Sequence, residues 1–177
     1  MFESARRSLG YQLARFTFRS KRDESMTFTG SLAASRRILL VLPLVPTRHS
    51  TGPIIELLRS RYGEDHMTVI ADALDNGITA LMPRSEILRI SAQQVTRLFH
   101  PPAALLQRMS GKKFDAAIDL NLDFLLPSGY ICKASEARVR VGFARPGADL
   151  FYNMQVQTGG TQGSGVYERL ATCLKMF

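Results

Sequence analysis

The sequence predicts an α/β protein with a doubly wound, mostly parallel sheet of the Rossmann-like type, preceded by a basic amphipathic helix. Apolar runs of strand length alternate with helical patterns from residue 35 onward, which is the signature of a parallel sheet with crossover helices. The first of these runs is continuously apolar, as expected for a strand covered on both faces. The 177 residues have room for one such domain.

Six segments have the pattern of strands, and each is bounded by turn residues or by a helical pattern. Arg37 to Leu42 is the first, and it is apolar from Ile38 onward. The other predicted strands lie at residues 67–71, 86–90, 114–120, 138–143 and 151–156.

Capping signals and apolar spacing predict helices between these strands. Thr51-Gly52-Pro53 opens the first of them, and Gly63 follows its end. Further helices are predicted at residues 75–81, 103–109, 123–135 and 166–176. The glycine-rich stretch 158–165 precedes the last helix. We interpret it as a flexible connection, because it lacks the Lys-Ser/Thr of a phosphate-binding loop and follows the last strand.

Composition excludes several classes of protein. With 45% apolar and 21% charged residues, the chain is not disordered as a whole. The longest apolar run, Ile38 to Pro46, is too short to span a bilayer. The two cysteines, Cys132 and Cys173, lack metal-ligand spacing and predict idle thiols in a reducing compartment. We therefore expect a cytoplasmic protein, with peripheral contact to the cytoplasmic face of a membrane as a further option.

The net charge of +8 is concentrated at the N-terminus. The first 22 residues contain six basic residues against Glu3 alone, so they hold five of the eight net positive charges. Apolar residues recur in the same segment at helical spacing, which predicts a basic amphipathic helix. They are Phe2, Ala5, Leu9, Leu13 and Phe16. We accordingly divide the chain into this helix with its linker at 1–34 and a Rossmann-like domain at 35–177.

Three interpretations of this helix remain open at the level of sequence. It packs on its own domain with a solvated basic face, it docks on an acidic partner protein or an anionic membrane surface, or it binds nucleic acid. We do not expect nucleic-acid binding, because no recognition motif accompanies the charge. The candidate partner-binding or membrane-binding residues are Phe2, Arg6, Arg7, Leu9, Leu13, Arg15, Phe16, Arg19, Lys21 and Arg22.

Ligand chemistry in such a fold is expected in the loops after the strands. The loop after the first strand carries Arg48, His49 and Ser50. Arg48 and Ser50 are candidates for binding a small anion, and His49 is a weak candidate for a base. An ordinary surface loop is the alternative, since two prolines and no Gly-x-Gly make it a poor phosphate cradle. Asp119, at the end of the fourth strand, is a second weak catalytic candidate.

Two further aspartates and the histidines give no site. Asp115 and Asp123 flank Asp119 at a spacing of four, which does not gather side chains on one face of a strand. His49, His66 and His100 are far apart in sequence, so no metal site and no cofactor is expected.

Several segments, taken in order, resemble the N-terminal half of the family 9 glycosyltransferases, the heptosyltransferase-like enzymes of lipopolysaccharide synthesis. Lys113 to Leu120 is similar to that family's "F-D-x-x-I-D-L" strand, and Arg140 to Phe143 to its "R-x-G-F" strand. Weaker parallels cover its first strand, its "P-L-x-x-A-L-K-x-x-Y/F" helix, its second strand, its "N-P-x-x-D-x-V" segment and the helix that ends its first domain. They lie at residues 37–41, 53–62, 67–71, 82–88 and 167–170.

The resemblance implies a Rossmann-like half of a two-domain enzyme, with departures at the catalytic loop. In that family the first loop carries a Gly-Asp pair whose aspartate is the expected catalytic base, whereas residues 45–49 contain neither. The family's nucleotide-sugar donor binds mainly on a second, C-terminal domain, to which nothing in this chain corresponds.

These observations predict a non-catalytic accessory or scaffold subunit. Its basic N-terminal helix would attach it to an acidic partner protein or to a membrane-bound assembly, for which an energy-transducing or photosynthetic complex is one candidate host. The alternative is the acceptor-side subunit of a hexose- or heptose-type glycosyltransferase completed by a separate donor-domain chain. In that case Arg48, His49 and Asp119 would line the acceptor side.

Overall fold

The computed structural model has a six-stranded parallel sheet with helices on both faces, as the alternation of patterns predicts. The structure describes residues 2–20, 28–45, 50–75, 77–157 and 165–176. All six predicted strands are present, and several are shorter than the apolar runs that predicted them. They are β1 (Ile38–Val41), β2 (Met67–Asp72), β3 (Glu86–Ile90), β4 (Ala116–Asp119), β5 (Val139–Phe143) and β6 (Met154–Val156).

The strand order is β3-β2-β1-β4-β5-β6, and every neighbouring pair is parallel. The chain therefore starts in the middle of the sheet, runs outward to β3, and returns to place β4 beside β1. Because the loops after β1 and β4 leave in opposite directions, a crevice opens between them at the carboxyl edge of the sheet.

Seven helices and three short 3₁₀ turns are found within the described ranges. The helices are α1 (Phe2–Thr17), α2 (Phe28–Ser31), α3 (Gly52–Tyr62), α4 (Ile78–Leu81), α5 (Ala103–Met109), α6 (Leu126–Ala134) and α7 (Val166–Lys175). The sequence predicts that α4 begins at residue 75, but it begins at Ile78. The Asp75 carboxylate accepts hydrogen bonds from the amides of Gly77 and Ile78, which forms a turn before the helix. In the described part of the chain, no helix has the length and apolar character needed to cross a membrane.

Side chains of the central strands alternate between two hydrophobic layers. Ile38 and Leu40 of β1 belong to the layer that contains the buried residues of α3 and α7. Leu39 and Val41 belong to the opposite layer, with buried residues of α5 and α6. Ala14 and Phe18, at the end of α1, are part of this second layer, so α1 completes one face of the core.

Close contacts fix α1 to the body of the domain. The Phe18 ring lies 4.8 Å from the Tyr130 ring and 6.3 Å from the Phe151 ring, measured between centroids. A ring nitrogen of His100, Nε2, lies 2.8 Å from the backbone oxygen of Gly10. A Cβ atom on Gly10 would lie 2.0 Å from the backbone oxygen of Leu98, so α1 touches the neighbouring backbone directly.

The face of α1 that packs inward is not the apolar stripe found in the sequence. Gly10 and Ala14 are buried, whereas Leu9, Leu13 and Phe16 are 54%, 39% and 72% exposed. At 100° per residue, Gly10 and Ala14 are centred about 110° around the helix from Leu9, Leu13 and Phe16. Of the interpretations left open by the sequence, packing on the domain is therefore correct for α1, but it uses a face of small residues.

Gly10→Ala tests the close approach of α1. We expect the free energy of unfolding to fall by about 1–3 kcal/mol, as for other overpacked sites. The overlap with the Leu98 backbone should outweigh the gain in helix propensity of up to about 1 kcal/mol. Denaturant unfolding measures the change, with Ser8→Ala on the exposed side as a control that shifts it by no more than about 0.5 kcal/mol. A stabilised Gly10→Ala protein would contradict this packing.

Candidate functional site

A buried carboxylate, that of Asp119, organises the carboxyl edge of the sheet. Asp119 is the last residue of β4, and its side chain is fully enclosed. Its Oδ2 accepts a hydrogen bond from the Tyr152 hydroxyl. Its Oδ1 accepts two from Asn121, one from the backbone amide at 2.8 Å and one from Nδ2 at 2.6 Å. Both carboxylate oxygens are therefore engaged.

Asn121 extends this network to the loop that follows β1. Its Oδ1 accepts a hydrogen bond from the Leu44 amide at 2.8 Å, and its Nδ2 also donates to the Leu42 backbone oxygen at 3.2 Å. The loops after β1 and β4, which flank the crevice, are thus tied together through one side chain. This arrangement fixes the start of both loops.

Tyr152 reaches Asp119 because β5 has a glycine beneath its ring. A Cβ atom on Gly142 would lie 2.7 Å from the Tyr152 ring, so any larger residue would displace it. Arg140, two residues earlier, is buried and donates from Nε to the Phe151 backbone oxygen at 2.8 Å and from Nη1 to the Ala137 backbone oxygen at 2.6 Å. The Arg140-Val141-Gly142-Phe143 segment thereby holds the chain before β6 against the sheet.

Burial dominates the electrostatics of this cluster. It raises the pKa of the Asp119 carboxyl, and hydrogen bonds from Tyr152, Asn121 and Ser128 oppose that rise. Burial, together with the neighbouring Asp119 charge, also raises the pKa of the Tyr152 hydroxyl and of the Cys132 thiol well above their ordinary values. Asp119 and Tyr152 are poorly placed to exchange protons with a substrate, since their side chains are buried and hydrogen-bonded to each other.

A crevice of about 290 Å³ lies at the carboxyl edge beside this cluster. It is lined by Leu44 and Val45 after β1, Asp72 at the end of β2, and residues 90–92 after β3. Val95, Thr96, Phe99 and residues 124–127 complete its walls, together with Arg7 of α1. The lining is mainly apolar, and its few polar groups include Asp72 and Ser91.

Phe99 forms part of the crevice wall in an uncommon backbone conformation. Its φ angle is 61°, in the left-handed region that a bulky side chain adopts at a cost of about 1–3 kcal/mol. The guanidinium of Arg7 lies over its ring, 5.2 Å from the centroid, a favourable cation–π geometry. Contacts from α1 thus help to hold this wall in place.

The outer face of α1 is a second candidate site. Leu9, Leu13 and Phe16, which we call the outer stripe, are exposed at spacings of four and three. Arg6 and Arg15 lie on the two sides of the stripe, and Arg19 follows the helix end. All three arginines are exposed, so a narrow apolar surface with a positively charged border faces away from the sheet.

The residues predicted from the sequence are distributed over several places. Arg7 does not border the outer stripe: it pairs with Glu3 at 3.3 Å and lines the crevice, because it lies on the inner side of α1. Ser50 is exposed, and its hydroxyl accepts a hydrogen bond from the Gly52 amide at 3.3 Å. Arg48, His49, Lys21 and Arg22, and the side chain of Phe2, lie outside what the structure describes.

Asp115, Asp119 and Asp123 are separated as their strand positions predict. The Asp115 Oδ2 accepts hydrogen bonds from the amides of Arg36 and Arg37 at the amino edge of the sheet, whereas the Asp123 side chain is 94% exposed. Within the described ranges, no group of three His, Cys, Asp or Glu side chains could hold a metal ion. Asn121, Tyr152 and Asp72 were not identified from the sequence, because loop geometry alone gives them their roles.

Asp119→Asn tests the buried carboxyl through its pH dependence. A raised pKa in the folded state means that the folded protein binds this proton more tightly than the unfolded chain. That stabilisation is present at low pH and is lost as pH rises from about 4, the ordinary value, through the raised pKa. We therefore expect the stability advantage of the wild type over Asp119→Asn to shrink as pH rises, measured by urea unfolding.

Glu86→Gln provides a control of opposite sign. A hydrogen bond from Lys112 lowers the pKa of Glu86, so its contribution is present above the ordinary carboxyl pKa and is lost as pH falls through the lowered value. The stability advantage of the wild type over Glu86→Gln should therefore grow with pH. If the Asp119→Asn difference followed the same direction, the burial argument would be wrong.

Comparison with known proteins adds no family to this description. No family model, curated protein or solved structure matches the chain. The resemblance to the family 9 glycosyltransferases therefore stays a prediction that rests on the segments quoted above, while the Rossmann-like fold is shown by the structure itself.

Proposed function

We propose that this chain is a non-catalytic accessory domain, held on a membrane-bound assembly by the outer stripe of α1, which lies on the anionic lipid surface. The observation that carries the proposal is that α1 buries one face in the core and exposes apolar side chains on another. Its inner face is part of the core, while Leu9, Leu13 and Phe16 leave apolar side chains in water beside exposed arginines.

This arrangement matches the physics of helices that lie in the plane of a lipid surface. Apolar side chains enter the boundary between headgroups and acyl chains, and arginines beside them reach the anionic headgroups. Each basic residue near such a surface contributes about 1 kcal/mol. Since α1 is fixed to the sheet, binding would require no folding of the helix and would orient the whole domain.

The non-catalytic part of the proposal is supported by the state of Asp119. Both of its oxygens accept hydrogen bonds from neighbouring side chains and backbone, and its side chain is enclosed. It therefore resembles a structural carboxylate more than a base that awaits a substrate hydroxyl.

Vesicle flotation tests the attachment. We expect the wild type to float with vesicles containing phosphatidylglycerol, and much less with pure phosphatidylcholine. The triple variant Leu9→Ser, Leu13→Ser, Phe16→Ser should bind at least about tenfold more weakly, because partial burial of three such side chains is worth several kcal/mol. Leu74→Ser is the matched control, since Leu74 is 86% exposed and lies outside α1.

Two changes test how much charge contributes to vesicle binding: the triple variant Arg6→Gln, Arg15→Gln, Arg19→Gln, and added salt. Both should reduce binding to anionic vesicles while leaving the weak binding to neutral vesicles unchanged. The proposal would be contradicted if the wild type did not bind anionic vesicles, or if the triple serine variant bound them as strongly as the wild type. Retention of an acidic protein through the same stripe, without lipid binding, would favour the acidic protein partner.

The crevice favours a second candidate function, the acceptor-side half of a glycosyltransferase completed by a separate donor-domain chain. It lies at the edge of the sheet where such folds bind ligands. Sugar transfer from a nucleotide sugar by this chain together with a co-purifying partner would favour it. Loss of that transfer in His49→Ala would support His49 as the base, and unchanged transfer would exclude it.

A further inference from the structure

The crevice at the carboxyl edge has the size and position of a ligand site that the proposed attachment does not use. Its volume of about 290 Å³ is just below the range of about 300–1,000 Å³ typical of small-molecule pockets. It lies beside the point where the strand order reverses, between β1 and β4. In open parallel sheets this is the preferred place for ligands.

The lining favours a ligand with a flat apolar part and a hydroxylated part. Ile90, Val95 and Phe99 provide aliphatic and aromatic surface, against which a planar ring can pack. Asp72 provides the carboxylate, at the last position of β2. Its Oδ1 accepts a hydrogen bond from the Leu74 amide at 2.8 Å, which fixes the carboxylate at the strand end.

We propose that this crevice binds a nucleoside, with the ribose hydroxyls donating hydrogen bonds to Asp72 and the base packed against Ile90, Val95 and Phe99. A carboxylate at the end of the second strand is the group by which Rossmann folds of this strand order hold ribose. A carboxylate offers about four acceptor positions, so the Leu74 amide leaves capacity for a diol.

The loop after β1 argues for a single nucleoside over a dinucleotide. Dinucleotide-binding loops have glycines here, because the pyrophosphate must approach the bare backbone. In this chain Pro43, Leu44 and Val45 follow β1, and the last two line the crevice. These residues stand where a dinucleotide-binding loop has glycines, so we expect the ligand to end with the ribose.

Isothermal titration with adenosine tests the site directly. We expect saturable binding of adenosine, and no tighter binding of NAD. Binding should weaken at least about tenfold for 2′,3′-dideoxyadenosine with the wild type, since hydrogen bonds to a charged group are lost. The same loss is expected for adenosine with Asp72→Asn, a variant that keeps the acceptor for the Leu74 amide.

Two further variants locate the ligand. Asp65→Asn removes an exposed carboxylate just before the start of β2 and should leave adenosine binding unchanged. Ala92→Trp adds a large side chain at an exposed crevice residue and should block binding while leaving the unfolding midpoint near that of the wild type. The proposal is overturned if adenosine does not bind the wild type. It is also overturned if dideoxyadenosine binds the wild type, and adenosine binds Asp72→Asn and Ala92→Trp, as tightly as adenosine binds the wild type.

Discussion

The rest of the structure depends on one buried carboxylate. Asp119 ends the central strand β4, and its oxygens are held by Tyr152 from the segment before β6 and by Asn121 from its own loop. Through Asn121, the loop after β1 is fastened as well. A carboxyl group buried in this position is costly unless its oxygens are hydrogen-bonded, so the network holds the first residues of the loops after β1 and β4 in place. The crevice beside it is a consequence of that arrangement.

The motifs that resemble a glycosyltransferase have a structural explanation in this molecule. Asp115 binds the amides that precede β1, Asp119 binds Tyr152, and Gly142 makes room for the Tyr152 ring. Arg140 holds the backbone on either side of the same segment. Each residue therefore has a role in the fold that requires no substrate, which agrees with the proposed accessory domain.

The strands could be predicted from sequence because continuous apolar runs such as Ile38–Val41 admit few other structures. The face of α1 that packs on the domain could not be predicted from sequence. Its inner face is made of Gly10, Ala14 and the later Phe18, and two of these three are too small to appear in a hydrophobic pattern. Close backbone approach, the contact that Gly10 permits, leaves no periodic signal. The crevice was equally hidden, since it needs loops from four strands and one side of α1.

Part of the positive charge that distinguishes the composition lies on α1, which completes the core with one face and exposes an apolar stripe beside arginines on another. The most direct test of this account uses the absence of tryptophan from the chain. A single Phe16→Trp variant reports the environment of the outer stripe, and Leu74→Trp reports an exposed position outside α1. The account predicts that anionic vesicles shift the Phe16→Trp emission to shorter wavelength and leave the Leu74→Trp emission much less affected. An unshifted Phe16→Trp spectrum at saturating anionic lipid would contradict it.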